Sequence, residues 1–489
     1  MYRSGRRDGA FRLPPLPEEG RQPEIFPFPE GVDGESGDPV GAAGMEEVER
    51  LLRERPLRRR RGNRREVIDG VSPQDLSEAG WGVIFPESAG QAEDLRDALE
   101  PLLTRRAGQA GGRYHKYLEG DGYRPKDDHL RFLGRKGAGP GRVDPKLVPY
   151  YLLIVGSPED IPYAFQYGLD LHHAVGRIHF GSTEEYRLYA ESVVAAETAP
   201  VPPSRRMALF GPSQDEGTRL TIEGLLSPLG DSLSKTCQVD RFFEGSATKA
   251  NLKRLMGGDA TPDLLFTAGH GIVYKAESPR QRPLQGALVC QEWSGSGRVP
   301  PEHAFAAADL DAGARLLGLI AFLFACHSAG TPKLNDFAEG APNEIASRPF
   351  VSSLAQQLLV RGAMAVIGHV ERVWRCSFLW RDTGFQSQPF VESVRRILNG
   401  GPLGWSLEPI NQRYADLAAS LLALIDEAEY GGTLDKAYLE EMRTACWDAR
   451  NYVVVGDPAV RLPVPPKPPE PEPEPKKYRD GSPVINEKR

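Results

Sequence analysis

The chain has 489 residues, 40% of them hydrophobic and 26% charged, a globular composition long enough for two or more structural units. A net charge of -7 gives no general reason for a nucleic-acid partner. Five cysteines, Cys237, Cys290, Cys326, Cys376 and Cys446, are odd in number, far apart and without a CxxC pair, which excludes a disulfide framework and a zinc knuckle and suits a reducing compartment.

Residues 1–70 are rich in Gly, Pro, Arg and Glu with little periodic apolar signal, and eight arginines lie between Arg53 and Arg65 against Glu54. The stretch reads as a solvated, mostly disordered basic tail, with a nucleic-acid contact or a processing site as the alternatives. The opening MYRSGRRDGAFRLPPLPEEG has no apolar core and is no signal peptide. The longest apolar run, LLGLIAFLFA at 316–325, is half of what a bilayer requires. The expectation is a cytoplasmic protein with no membrane contact.

From about residue 72 the pattern becomes globular. GWGVIFP (80–86) predicts a short strand, and SAGQAEDLRDALEPLLTRR (88–106) has helical spacing with Ser88 as its cap. The polar, glycine-rich stretch 107–143 reads as a surface segment. VPYYLLIVG (148–156) is a buried strand, LDLHHAVGRIHF (169–180) a further strand region, and EEYRLYAESVVAAE (184–197) a helix. The break TAPVPPS (198–204) follows, and successive prolines there can continue neither element.

Beyond the break the elements alternate. RRMALFGP, TCQVDRFFE, PDLLFTAGHG, LLGLIAFLFAC, AMAVIGHV and NYVVVGDPAVRL predict strands. GTRLTIEGLLSPLGDSL, TKANLKRLM, PFVSSLAQQLLVRG and the long run 407–432 predict helices between them. Apolar strands alternating with helices give an α/β fold with a mainly parallel central sheet flanked by helices. The expected organisation is an N-terminal α/β subdomain over 71–200, a second domain over 205–462 and a Pro-rich tail over 463–489.

Ligands of open parallel sheets sit at the carboxyl ends of the strands. Two strands bring reactive side chains there: TAGHG holds His270 between two glycines, and FACHSAG places Cys326 first after an apolar run. A thiol with an imidazole on a neighbouring strand end is the minimum for a cysteine nucleophile, provided backbone N–H groups stabilise the oxyanion. Gly271 and Cys326 are the candidate donors, since glycines beside His270 let the backbone approach a carbonyl.

Other polar residues offer rival readings. Ser328 lies in x-H-S-x-G, one residue short of a serine-hydrolase elbow, with Asp336 and His369 as nominal acid and base. Asp336 follows the serine by only eight residues, too close for an acid on a later strand. Cys326 also occupies the position of the first elbow glycine. His327 neighbours Cys326 and points to the opposite face, which suits a packing role. His172 and His173 are adjacent and cannot share a strand face, so no metal site is expected. VGSPED and GPSQDEG lack the ending of a phosphate loop, and no cofactor is called for. The turn Gly456-Asp457-Pro458 reads as structural.

AGHG followed 56 residues later by ACHSAG resembles the caspase-like, clan CD cysteine peptidases, with metacaspase-like His-Gly and Cys-His-Ser motifs. YYLLIVGSPEDIP, VGRIHF, LVRGAMAVIGHVERVW and the closing VVVGDPAVRL resemble the gingipain-type and CHAT branches, so the likeness extends over residues 148–462. It implies a caspase-haemoglobinase-like fold and a cysteine endopeptidase, with His270 as base, Cys326 as nucleophile and Gly271 in the oxyanion hole. It also implies a protein or peptide substrate, regulation that in some relatives involves calcium, an activating partner protein, and for CHAT-type relatives a prokaryotic defence role. Metacaspases carry an aspartate two residues before the cysteine; Phe324 stands there, so their basic P1 preference does not transfer. Asp336, Glu371 and His369 are the candidates for contacting substrate. A catalytically silent protein-interaction module is the alternative from another functional class.

Overall fold

A computed structural model describes residues 31–37, 67–87, 92–202, 204–258, 260–337, 343–380, 383–429 and 435–464. The arginine-rich run, the Ser88 cap and the Pro-rich tail beyond residue 464 lie outside these residues.

Ten strands form one sheet. In chain order they are β1 (Trp81–Ile84), β2 (Tyr114–Tyr117), β3 (Tyr151–Val155), β4 (Ala174–Ile178) and β5 (Arg206–Gly211), then β6 (Gln238–Phe243), β7 (Leu264–Ala268), β8 (Ile320–Phe324), β9 (Ala365–His369) and β10 (Tyr452–Gly456). Their spatial order is β2-β1-β3-β4-β10-β9-β8-β7-β5-β6. Neighbours pair in parallel from β6 through β5, β7 and β8 to β9, and again across β2, β1, β3 and β4. The last strand, β10, runs antiparallel to β9. It closes the gap to β4, with Val454 and Val455 opposite Gly176 and Arg177.

The central strands β3, β4, β7, β8, β9 and β10 are buried along their whole length. That is why they read as continuous apolar runs rather than alternating ones. Phe266 and Phe322 face each other across β7 and β8 with ring centroids 4.4 Å apart. Phe324 packs with Phe378, Phe390 and Tyr452, so it faces the core.

The principal helices are α1 (Glu100–Ala110), α2 (Thr183–Thr198), α3 (Glu216–Thr221), α4 (Ser353–Val360), α5 (Gln388–Leu398), α6 (Glu408–Glu429) and α7 (Lys436–Arg450). Ser182 and Glu185 form a capping box on α2. After α3 the chain makes a π-turn over Ile222–Leu226 and resumes as a helix to Leu233. Pro228 lacks the N–H that would bond to Gly224, and Ser227 reaches back to Ile222 instead.

The structure departs from the sequence reading in several places. The stretch 107–143, expected to be a surface segment, contributes the edge strand β2 and a helix over His129–Arg135; four residues with an exposed Lys116 leave too little pattern to announce a strand. In 169–180 only Ala174–Ile178 is extended, because Leu169 ends a helix and His172 and His173 lie in the following turn. The single helix expected over 88–106 breaks at Leu99, where Pro101 cannot donate within the first turn of α1. Helix α7 was not anticipated; its apolar residues Leu439, Met442, Ala445, Cys446 and Ala449 are diluted by charged ones. Residues 31–33, inside the stretch read as a tail, form a strand beside Gly271–Val273 in a small four-stranded sheet completed by Leu288–Val289 and Ala304–Phe305.

Candidate active site

The site is assembled by register. Ala268 at the end of β7 pairs with Phe324 at the end of β8, and Leu323 pairs with Gly368 of β9. His270, Cys326 and Glu371 therefore each leave the same sheet edge two residues past aligned positions. Gly271 lies against the Cys326 backbone: a methyl group there would sit 2.1 Å from the Cys326 carbonyl oxygen and 2.9 Å from its nitrogen. Only a glycine lets the two turns approach so closely.

His270 is buried, and its Nε2 lies 2.6 Å from Asp215 Oδ2. Asp215 follows β5, the strand on the other side of β7. It is the N-cap of α3, with Oδ1 accepting from the Thr218 N–H at 2.8 Å. The cap fixes the carboxylate so that its other oxygen meets the imidazole. Burial pushes the Asp215 carboxyl up, but the hydrogen bond and charge of His270 outweigh it and hold the group well below the usual range. Trp293 stands edge-on to the His270 ring at 6.1 Å.

Cys326 is fully buried, and its Sγ accepts from the Val373 N–H at 3.3 Å. The turn behind it is strained: His327 and Glu371 adopt φ of +56° and +81°, and the His327 N–H donates to the Glu371 carbonyl at 2.6 Å. Non-glycine residues hold such angles where surrounding contacts over-determine them. Here His327 turns the chain sharply just after the thiol, and Glu371 turns the facing segment after β9.

The neighbouring polar residues are consumed by structure. The Ser328 hydroxyl donates to the Leu323 carbonyl at 2.7 Å and accepts from the His369 N–H at 3.0 Å; it stitches the turn to β8 and β9 and is fully buried, unlike an exposed elbow nucleophile. His327 Nδ1 lies 3.1 Å from Thr331 Oγ1, and burial, with Arg372 nearby, pushes its pKa down to about 3. His369, a candidate for lining the cleft, is also fully buried; its Nδ1 meets the Arg372 carbonyl at 3.1 Å, its ring packs on Tyr452, and burial pushes it down to about 3. His173 Nδ1 lies 2.9 Å from the Pro149 carbonyl, and burial pushes it down to about 4.

Asp336 and Glu371 do come together, since the Asp336 N–H donates to Glu371 Oε2 at 2.9 Å. Both are ion-paired, Asp336 with Arg450 at 2.5 Å and Glu371 with Arg372 at 3.0 Å. Burial pushes Glu371 up to about 7 against the opposing Arg372 charge. They form a compensated internal cluster. Asp336 keeps some exposure; Glu371 has none.

Asp215 is the residue that sequence reasoning missed. GPSQDEG reads from sequence only as a glycine-containing turn without a phosphate-loop ending. The available signal was a capping one, an Asp followed by Glu just before a helical run at the end of a strand. Among the described residues, no group of three or more His, Cys, Asp or Glu side chains is arranged to hold a metal, and no helix is long and apolar enough to cross a membrane.

No protein-family model matches the chain, and none of the curated proteins does. Among solved structures, it is similar to the Arg-specific cysteine proteinase gingipain R (RgpB), with 14% identity, a TM-score of 0.47, and coverage of 79% of this chain and 78% of that one. A structure described only as a protease is similar at 13% identity, a TM-score of 0.44, and 79% and 80% coverage. The Saccharomyces cerevisiae separase–securin complex is similar over 63% of this chain and 16% of that one, at 9% identity and a TM-score of 0.31.

Proposed function

We propose that the chain is a cysteine endopeptidase in which Cys326 attacks a peptide carbonyl, His270 moves the protons and Asp215 orients His270. The observation that carries this reading is the 2.6 Å contact between His270 Nε2 and Asp215 Oδ2, on the strand end in register with the one that presents Cys326. A nucleophile, a base and a group that orients the base make the minimal constellation for acyl transfer.

With Nε2–H donated to Asp215, Nδ1 is the nitrogen that exchanges protons with the thiol and the leaving amine. The cysteine sulfur bonds to the scissile carbonyl carbon, and the negative charge developing on its oxygen is met by the N–H groups of Gly271 and Cys326. The imidazolium protonates the departing amine, leaving a thioester. Water, deprotonated by His270, then releases the acid and restores the thiol. The substrate is a protein or peptide chain; the P1 side chain is left open, because Asp336 and Glu371 are already neutralised by Arg450 and Arg372.

The test is peptide-library turnover with purified protein. Cys326→Ala and His270→Ala are expected to abolish cleavage, while Ser328→Ala keeps it. Undiminished turnover in Cys326→Ala would sink the assignment, and fluorophosphonate labelling of Ser328 would redirect it to a serine hydrolase.

A further inference from the structure

The strand Gly31–Asp33 lies directly over the thiol. It pairs in parallel with Gly271–Val273, Gly31 opposite Gly271, and the Gly34 N–H continues the ladder to the Val273 carbonyl at 2.9 Å. A methyl group on Gly31 would fall 2.8 Å from Cys326 Sγ. The backbone of the chain's own N-terminal region thus occupies the space a carbonyl would need to reach the sulfur.

The seat is shaped to this segment. Val32 is buried in an apolar pocket with Ile272, Tyr274, Val289 and Trp293, and Trp293 is the ring that stands against His270. Asp33 turns the chain by accepting the N–H groups of Glu35 and Ser36 at 2.9 and 2.8 Å. Glu35 then lies between two cations, 2.7 Å from Arg280 and 3.7 Å from Arg298. Gly37, at φ +77°, fits against the Gly297 carbonyl, where any side chain would clash.

The grip is nevertheless light. It consists of a three-residue strand, one apolar anchor and ion pairs that are about half exposed, the profile of an element that opens locally without unfolding the domain. Strand-edge pairing of this kind is also a general way of binding an extended peptide.

We propose that residues 31–37 are an intramolecular peptide ligand of the active-site groove, closing the thiol until they are displaced. The groove they vacate takes extended peptides with an apolar side chain followed three residues later by an acidic one. This rests on the peptidase reading for its functional meaning, while the closure itself is readable without any turnover.

The experiment compares the full chain with its Val32→Asp/Glu35→Lys variant, mapping iodoacetamide labelling of each cysteine by mass spectrometry at neutral pH. Selective labelling of Cys326 at least about tenfold faster in the variant, with Cys290, Cys376 and Cys446 unchanged, is the expected result. The synthetic heptapeptide GVDGESG is expected to restore protection in the variant, and GDDGKSG is not. Equal Cys326 rates in the two chains overturn the proposal, as does a failure of GVDGESG to protect. If all the buried thiols accelerate together, the double variant has unfolded, and Glu35→Lys alone is judged by the same two comparisons. Faster Cys326 labelling with no peptide cleaved leaves the closure standing and removes the peptidase reading.

Discussion

Two aspartates follow strands of the same sheet and meet opposite fates. Asp457, just after β10, is fully buried and accepts from Trp81 Nε1 at 2.9 Å, Arg106 Nε at 2.6 Å and the Ala459 N–H at 3.0 Å. Arg106 is shared with Glu197 at 2.7 Å, and the Tyr189 hydroxyl accepts the Asp457 N–H. Burial opposes the Arg106 charge, but Asp457 and Glu197 outweigh it and raise its pKa. Asp215 caps one helix, holds one imidazole and keeps 39% of its side chain exposed. A carboxylate with both oxygens engaged by buried donors locks helices to a sheet. One aimed at a titratable ring beside a thiol is equipped to change that ring's protonation.

Breaking the buried cluster is the severest test of the contrast. Arg106→Ala leaves Asp457 buried without a cation, while Glu197 keeps Arg105, and is expected to cost about 3–5 kcal/mol in denaturant unfolding, with turnover per folded molecule near wild type. A stability loss below about 1 kcal/mol would mean the cluster is not the lock described.

Asp215→Asn is the mirror image. Asparagine caps a helix about as well as aspartate, so the helix start is kept and the stability lost is only that of the partly exposed charge pair with His270. Turnover should fall about a hundredfold or more as the imidazole loses its orienting charge. Unchanged kinetics would make Asp215 a cap and nothing else.

Ser328→Ala removes two hydrogen bonds between the turn and its strands and leaves the His369 N–H unmatched. Thermal or chemical unfolding should register a loss of about 1–3 kcal/mol, with cleavage retained.

The smallest effects concern pH. His327 and His369 have folded-state pKa values pushed down to about 3 by burial, below an unfolded value near 6.5. The unfolded chain binds protons first, so the stability these residues confer is complete above about pH 7 and lost as pH falls toward 3. Glu371, raised to about 7 by burial, acts in the opposite sense; its contribution is present below about pH 4 and fades as pH rises through 7. Asp215, held below its unfolded value, contributes above about pH 4 and loses that contribution in stronger acid. Replacing His369 with Gln should flatten the acid slope of the melting temperature between about pH 4 and 6; an unchanged slope would place the titration elsewhere.

Much of this arrangement is legible in sequence. Unbroken apolar runs such as LLFTA and IAFLF mark strands buried on both faces, and a polar residue at the end of each marks the working edge. His270, Gly271 and Cys326 were accessible to that argument because their turns follow such runs directly. Asp457 could be recognised as structural because Gly and Pro flank it in a turn. Weakly patterned elements were not legible: β2 is four residues at an edge, and the apolar face of α7 is interrupted by charges.

Local chemistry along the chain determined the strands, the helix starts and the two turns carrying an imidazole and a thiol, because periodicity, capping and glycine act within a few residues. Only the tertiary structure decided which distant groups meet. Strand order puts β5 beside β7 and so brings Asp215 to His270, 55 positions further along. The register of β8 and β9 buries His369 and couples Glu371 to the turn after Cys326. Pairing with Gly271–Val273 sets Gly31 against a sulfur almost three hundred residues away. Such encounters are set by packing the whole sheet, and no short window of sequence contains them.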